Sequence, residues 1–124
     1  AGAIMSVNAS FGTCVLEDCS FVENSSGGNA GAVAMASDFE SNPGSVTRCA
    51  FESNSAGTGG GALWFDTALD VEATVTDSSF CANTPSDIVG DYTSGGGNTF
   101  SSSCPCLPDV NHDGMVTPAD FTAW

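Results

Sequence analysis

Hydrophobic and polar positions along the chain repeat with a period of 29 to 30 residues. Residues 19–25 (CSFVENS) return as residues 49–55 (CAFESNS) and, more weakly, as residues 78–84 (SSFCANT). Two further series keep the same spacing. They are residues 2–4, 31–33 and 61–63, which read Gly-Ala-aliphatic, and the aliphatic positions Leu16, Val46 and Val75. Three independent series with one period predict a repeat protein.

Composition decides between helical and strand repeats. The repeats are rich in Gly, Ser, Thr, Asn and Val and lack long runs of good helix formers. Short apolar segments between Gly and Asn are typical of strands and turns. We therefore predict an all-β parallel β-helix over residues 1–104, with about three to four coils and equivalent residues ~4.8 Å apart.

Stacked coils predict which side chains form ladders. The alanine ladder (Ala3, Ala32, Ala62) and the phenylalanine ladder (Phe21, Phe51, Phe80) are expected to face inward. The asparagine ladder, Asn24, Asn54 and Asn83, is expected to mark one turn, in left-handed backbone or with stacked amides.

Bends and loops complete the predicted coil. Leu16 and Phe21 can share the interior only if the chain bends near Glu17 and Asp18. The Gly-rich segments 27–29 and 57–61 are predicted to be tight corners, and segments 37–45 and 66–70 to be projecting loops.

Net charge and cysteine content limit the partners and the compartment. The chain carries 15 acidic residues against one basic residue, Arg48, for a net charge of −14. Nucleic acid and anionic membrane surfaces are therefore not expected partners, no membrane insertion is expected, and divalent cations are natural ones. Six cysteines in 124 residues favour an oxidising compartment. We expect a secreted or cell-surface protein, and a processed or truncated piece of a longer chain.

The repeat also resembles a known pattern. Its strings CSFVENSSGGNAGAV and CAFESNSAGTGGGAL resemble the repeats of polymorphic outer membrane proteins and of related pectate-lyase-like right-handed β-helix proteins. The resemblance covers residues 1–104 and implies the β-helix fold. Proteins of that fold include adhesins, surface filaments and polysaccharide enzymes, so the resemblance leaves the function open.

The C-terminal residues carry a calcium-binding pattern. A Pro- and Cys-rich linker, residues 105–108, precedes a loop whose spacing is that of an EF-hand, with Gly114 at its sharp turn and a helix start at Thr117 and Pro118. Because Asp120 replaces the usual Glu, residues 109–124 resemble the calcium repeat of dockerin domains. The expected Ca²⁺ ligands are Asp109, Asn111, Asp113, Met115 through its carbonyl, Thr117 and Asp120.

Cysteines and sequons supply the remaining candidate sites. Cys19 and Cys49 occupy equivalent positions, close enough either for a disulfide or for two buried thiols. Cys81 is expected to pair with Cys104 or Cys106. Cys14 then pairs with whichever of these two is left, or stays a free thiol. Asn8 and Asn24 begin N-x-S sequons and are candidate glycosylation sites.

The function predicted from these features is structural or adhesive. A β-helix has open strand edges at both ends, which favours end-to-end self-association into a filament, or binding to other surface proteins. The alternative is a carbohydrate-binding or polysaccharide-degrading β-helix with a dockerin-like attachment repeat. Trp64, Phe65 and Tyr92 are candidates for a sugar-stacking platform, but we favour the interpretation that Trp64 and Phe65 are adjacent strand residues, one facing inward and one outward. Catalysis is not expected, because Arg48 is the single candidate base of a lyase and Asp38, Asp66 and Asp70 lie in predicted loops.

Overall fold

The structure is a computed structural model that describes residues 2–8, 13–37, 44–66 and 73–104. Within these ranges the chain is all-β, and none of the described residues forms a helix that could cross a membrane. The strands are β1 (Ile4–Asn8), β2 (Cys14–Glu17), β3 (Ser20–Val22), β4 (Ser25–Ser26), β5 (Val33–Ser37), β6 (Gly44–Thr47), β7 (Ala50–Glu52), β8 (Ser55–Asp66), β9 (Ala73–Thr76), β10 (Ser79–Cys81), β11 (Thr84–Val89), β12 (Tyr92–Gly96) and β13 (Thr99–Ser101).

The strands form three parallel sheets that the chain visits in turn. The first sheet has the order β1-β5-β8-β11, with β4 also paired to β8; the second has the order β2-β6-β9-β12 and the third β3-β7-β10-β13. All the pairings are parallel. We call one circuit through the three sheets a pass. The first pass is β1 to β3, the second β4 to β7, the third β8 to β10 and the fourth β11 to β13. The predicted all-β class with parallel pairing is thus confirmed.

A stack of phenylalanine rings runs through the third sheet. Phe21, Phe51, Phe80 and Phe100 are aligned on neighbouring strands. Successive ring centroids are 5.0 Å apart, and the planes differ by 7°, 2° and 9°. Phe51 and Phe80 are buried, so the stack lies in the core. The inward phenylalanine ladder is confirmed, and Phe100 extends it by one member.

Aliphatic side chains form the rest of the core in the same way. Leu16, Val46 and Val75 are aligned in the second sheet, and all three are buried. In β9 the exposure alternates, with Ala73 and Val75 buried and their neighbours partly exposed. This alternation is expected for a sheet with one face towards a core and the other towards solvent.

Single left-handed residues make two corners in each of the first three passes. Between the second and third strands they are Asp18, Arg48 and Asp77, with φ of 54°, 50° and 49°. After the third strand they are Glu23, Ser53 and Ala82, with φ of 55°, 54° and 52°. One such residue redirects the chain without a loop, so successive passes keep the same outline. The predicted bend near Glu17 and Asp18 is confirmed.

The asparagine ladder is a continuous chain of amide hydrogen bonds. Asn54 Nδ2 donates to Asn83 Oδ1 at 2.9 Å and to the Phe21 carbonyl at 3.0 Å. Asn54 Oδ1 accepts from both the Nδ2 and the backbone N–H of Asn24, at 3.0 and 2.9 Å. Asn54 is fully buried, so its amide is fully used inside the stack. The stacked-amide alternative is confirmed, while the left-handed residue is the one before each asparagine.

Two predicted features are wrong in detail. Ala32 and Ala62 are buried as expected, but Ala3 is exposed, because β1 is an edge strand with no further pass beside it. Residues 57–61 form no corner and lie within β8. A Cβ on Gly57 would lie 2.3 Å from the Gly27 carbonyl oxygen, so the glycine is needed for close strand approach and not for a turn. Of the predicted loops, residues 38–43 and 67–70 lie outside the described residues, and Ser45 belongs to β6.

We expect the phenylalanine stack to stabilise the fold most strongly at its centre. Phe51→Ala should lower the free energy of unfolding by about 3–5 kcal/mol, because it removes a fully buried ring between two others. Phe100→Ala is the matched control and should lower it less, since Phe100 has a neighbour on one face and is 51% exposed. Urea denaturation measures both values. Equal losses would contradict the placement of Phe51 between two rings.

Candidate functional site

The two ends of the stack are the surfaces where the regular pairing stops. Among the described strands, β1, β2 and β3 are each the edge of a sheet at one end; at the other end the edges are β11, β12 and β13. An edge strand presents backbone N–H and C=O groups with no partner strand. We call these surfaces the N-terminal end and the C-terminal end.

The C-terminal end has a groove whose lining includes an exposed aromatic ring. Phe100 is 51% exposed, whereas Phe21 at the N-terminal end is 8% exposed. The groove has a volume of about 490 Å³. It is lined by Ala82, Asn83, Thr84, Pro85, Ser86, Asp87, Phe100, Ser101 and Ser102. The end therefore combines one apolar ring face with hydroxyl, amide and carboxylate groups.

Asp87 terminates the asparagine ladder at this end. Asn83 Nδ2 donates to Asp87 Oδ1 at 2.8 Å and to the Phe51 carbonyl at 3.0 Å. The carboxylate thus takes the place that the amide oxygen of a further asparagine would occupy. Asn83 remains buried and satisfied although the ladder stops there.

The fourth pass is shorter than the others. Phe100 follows Phe80 by 20 residues, because β11 is shorter than β8 and is joined to β12 by only Gly90 and Asp91. Gly90 has a φ of 104°, and a Cβ there would lie 2.2 Å from the Phe65 carbonyl oxygen. Sequence reasoning missed Phe100 and Asp87 because it looked for one constant period. The string F-x-x-S at Phe100 is the weak signal that was available.

The N-terminal end carries exposed apolar side chains. Met5, Val15 and Val22 are 69%, 56% and 50% exposed, one on each edge strand. Leu16 belongs to the core and Ile4 packs against it. Because successive side chains of a strand point to opposite faces, the three exposed side chains face outward. The outer rim of this end is therefore more apolar than the charge of the chain suggests.

The single basic residue, Arg48, is engaged by a carboxylate. Its Nε donates to Asp18 Oδ1 at 2.7 Å and its Nη2 to Asp18 Oδ2 at 3.1 Å. Both side chains are exposed, and the hydrogen bond to Arg48 lowers the pKa of Asp18. The bond to Asp18, aided by the nearby charges of Glu17 and Asp77, raises the pKa of Arg48. Arg48 is thus a fully protonated bridge between two passes and is unsuited to accept a proton.

Cys81 and Cys104 form a disulfide, one of the two pairings predicted for Cys81. Their Cα atoms are 4.9 Å apart. Cys81 lies in β10, and Cys104 follows β13, so the bond ties the last described residues to the third pass. Cys14, Cys19 and Cys49 are thiols in the structure.

The predicted calcium ligands lie outside the described residues. Asp109, Asn111, Asp113, Met115, Thr117 and Asp120 all belong to that segment, as do Cys106, the linker and the helix start. Within the described ranges, no three His, Cys, Asp or Glu residues are grouped so as to hold a metal ion. The calcium site therefore stays a prediction from the sequence.

The asparagines of the two sequons, Asn8 and Asn24, lie in different structural environments. Asn8 is the last residue of β1. Asn24 Nδ2, the atom to which a glycan would be attached, donates to Asn54 Oδ1 at 3.0 Å. A glycan at Asn24 would have to coexist with that ladder bond. Glycosylation at both residues stays a prediction.

The predicted placement of Trp64 and Phe65, one outward and one inward, is confirmed, so the alternative aromatic platform with Tyr92 does not form. Phe65 is buried, and its ring lies 6.2 Å from that of Tyr92 at a tilt of 38°. Trp64 is half-buried and adjacent to Phe65 in β8, so the two side chains lie on opposite faces. Asp66 ends the same strand, and the described ranges do not include Asp38 or Asp70.

Comparisons with known proteins add no functional information. No protein-family model, curated protein or solved structure matches the chain. Its function must therefore be inferred from the stack and its ends.

We expect the Asp18–Arg48 pair to contribute a pH-dependent part of the stability. Because the folded pKa of Asp18 is lowered, the contribution is present above the unfolded value of 3.8 and is lost as pH falls through the folded pKa. Asp18→Asn keeps a residue that tolerates left-handed backbone. It should lower the Tm slightly near pH 7, and the difference from the wild type should vanish well below pH 3.8.

Thermal unfolding from pH 7 to pH 2 checks this. Asp91→Asn is the control, because it removes the same charge from another exposed position. A Tm difference for Asp18→Asn that persists at pH 2 would contradict the role of the ion pair.

Proposed function

We propose that the three parallel sheets are the walls of a right-handed parallel β-helix, each pass being one coil. The support is the fixed visiting order of the sheets together with parallel pairing in each sheet. The right hand is the one that parallel crossover connections adopt in nearly all cases.

We further propose that the protein is a secreted or cell-surface structural or adhesive module that associates end to end with other copies. The observation that carries this proposal is that all three sheets end in edge strands at both ends of the stack. Isolated edges of this kind are usually covered or paired in native proteins. Other surface proteins and glycans are the remaining candidate partners.

The geometry of the two ends favours head-to-tail pairing. The described strands of each sheet are parallel to one another, so the N-terminal end of one copy could continue the C-terminal end of another with unchanged parallel polarity in all three sheets. Such a contact joins two different surfaces and does not close on itself, which leads to a filament. It would also cover the exposed ring of Phe100.

Repulsion between the negatively charged copies opposes this association, and bound cations would reduce it. Two copies that each carry a net charge of −14 repel one another. Ca²⁺ bound at the predicted loop, residues 109–120, would lower the net negative charge and so reduce that repulsion. Assembly is therefore proposed to depend on calcium.

A second candidate function is carbohydrate binding at the C-terminal groove. The exposed face of Phe100 could stack on a sugar ring, while Asp87, Ser86 and Ser101 could bond its hydroxyls. The groove residues belong to the described part of the chain, unlike those of the predicted calcium loop.

Electron microscopy and sedimentation velocity of the full chain test the assembly. We expect elongated particles in Ca²⁺ and their loss in excess chelator. Phe100→Asp should abolish assembly, because it places a charge in the joint. Thr74→Asp, which adds the same charge in the interior strand β9, is the matched control and should leave assembly intact.

Monomers at high protein concentration in both conditions would overturn the assembly proposal. Retention of Phe100→Asp in the filaments would place the joint elsewhere. If only monomers are seen, wild type and Phe100→Asp should next be compared for binding to a glycan array, where loss in the variant would support the second candidate.

We expect the predicted loop to bind calcium in a titration followed by isothermal calorimetry. Asp109→Ala and Asp120→Ala should each weaken binding strongly, because each removes a carboxylate ligand. His112→Ala, at a position that supplies no ligand, is the control and should bind like the wild type. Equal binding by all three variants would mean that calcium is held elsewhere.

A further inference from the structure

Cys19, Cys49 and Ser78 occupy the same corner in the first three passes. Each directs its side chain to the carbonyl two residues earlier. The distances are 3.1 Å from Cys19 Sγ to Glu17 O, 3.3 Å from Cys49 Sγ to Thr47 O and 3.0 Å from Ser78 Oγ to Thr76 O. The two thiols therefore have the same local conformation as a serine hydroxyl.

Cys19 and Cys49 are direct neighbours across adjacent passes. The residues that follow them, Ser20 and Ala50, are register partners, and the Ala50 N–H donates to the Cys19 carbonyl at 2.9 Å. Residues aligned in this way have Cα atoms ~4.8 Å apart, which falls within the range that a disulfide spans. The register therefore places the two cysteines within reach of a disulfide.

The two thiols differ in access to solvent. Cys49 is 2% exposed, whereas Cys19 is half-buried. Burial is also the main reason that the pKa of Cys49 is raised, with the Cys19 side chain contributing in the same direction. A dissolved reagent should therefore meet Cys19 first and Cys49 only through Cys19.

We propose that Cys19 and Cys49 form a redox-sensitive pair, which a small-molecule disulfide oxidises to an intramolecular bond between the first and second passes. This proposal is independent of end-to-end assembly. It rests on the register of the two residues and on their unequal exposure.

The chemistry proceeds in two exchanges. The Cys19 thiolate attacks the small disulfide, forms a mixed disulfide and releases one small thiolate. The Cys49 thiolate then attacks the Cys19 sulfur and releases the second. Overall, two protein thiols lose two protons and two electrons, and one small disulfide becomes two small thiols.

The proposed bond would secure one of the two edge passes. The strands β2 and β3 each pair on one side only, with β6 and β7. The existing disulfide, Cys81–Cys104, ties down the last described residues at the opposite end. Oxidation of Cys19 and Cys49 would give the N-terminal end an equivalent constraint.

Treatment of the native full chain with oxidised glutathione, followed by peptide mapping without reduction, tests the proposal. We expect a cross-linked peptide that contains Cys19 and Cys49. At pH values below the pKa of Cys49, the rate at which this peptide forms should rise about tenfold for each unit by which the pH increases, because the second exchange needs the Cys49 thiolate.

Two serine variants provide matched controls, and Ser78 shows that serine fits this corner. Cys49→Ser should accumulate a stable mixed disulfide of glutathione at Cys19. Cys19→Ser should leave Cys49 unmodified in the native protein, and denaturant should make it reactive. Retention of the cooperative urea transition in both variants establishes that they fold.

Two results would overturn the proposal. One is a wild type that carries glutathione at Cys19 and never forms the cross-link, even at pH 9. The other is preferential pairing of Cys19 with Cys14 or Cys106, which would show that the register of the two passes does not direct the exchange.

Discussion

In-register stacking of like side chains at the spacing of parallel strands is the constraint on which this structure depends. Phe21, Phe51, Phe80 and Phe100 show it most directly, with each ring 5.0 Å from the next. A shift of one residue in any pass would turn an inward ring to solvent. The passes must therefore share one outline, and this requirement explains both the corners and the ladder of amides.

The shared outline requires sharp changes of chain direction and buries polar groups, and the corners and the asparagines meet these two requirements. The sharp changes of direction after the second and third strands of a pass require left-handed backbone, which residues such as Asp18 and Arg48 supply at some conformational cost. Each turn also brings polar groups into the interior. Asn54 satisfies these groups with its own amide, and none of the described buried side-chain nitrogen or oxygen atoms lacks a partner.

At the two ends of the stack the described strands have a neighbour on one side only, and the two ends differ in structure. At the C-terminal end, Asp87 completes the amide ladder and a disulfide ties Cys104 to the third pass, yet Phe100 keeps one face exposed. At the N-terminal end, β1 to β3 pair on one side only, and Cys19 lies beside Cys49. These differences make the ends the natural candidates for contact and regulation, while the side walls of the stack are regular.

The amino-acid sequence by itself determined the period, the inward phenylalanine and aliphatic ladders, the amide ladder and the bend at Asp18. It could do so because stacked passes need the same residue type at the same spacing, which leaves a visible repeat. Only the tertiary structure decided that Phe100 joins the stack after a shortened pass, that Asp87 ends the ladder and that Ala3 is exposed. It also placed Gly57 inside a strand and Arg48 opposite Asp18. These features depend on which groups meet across passes and on where neighbours end, and a linear period does not contain that information.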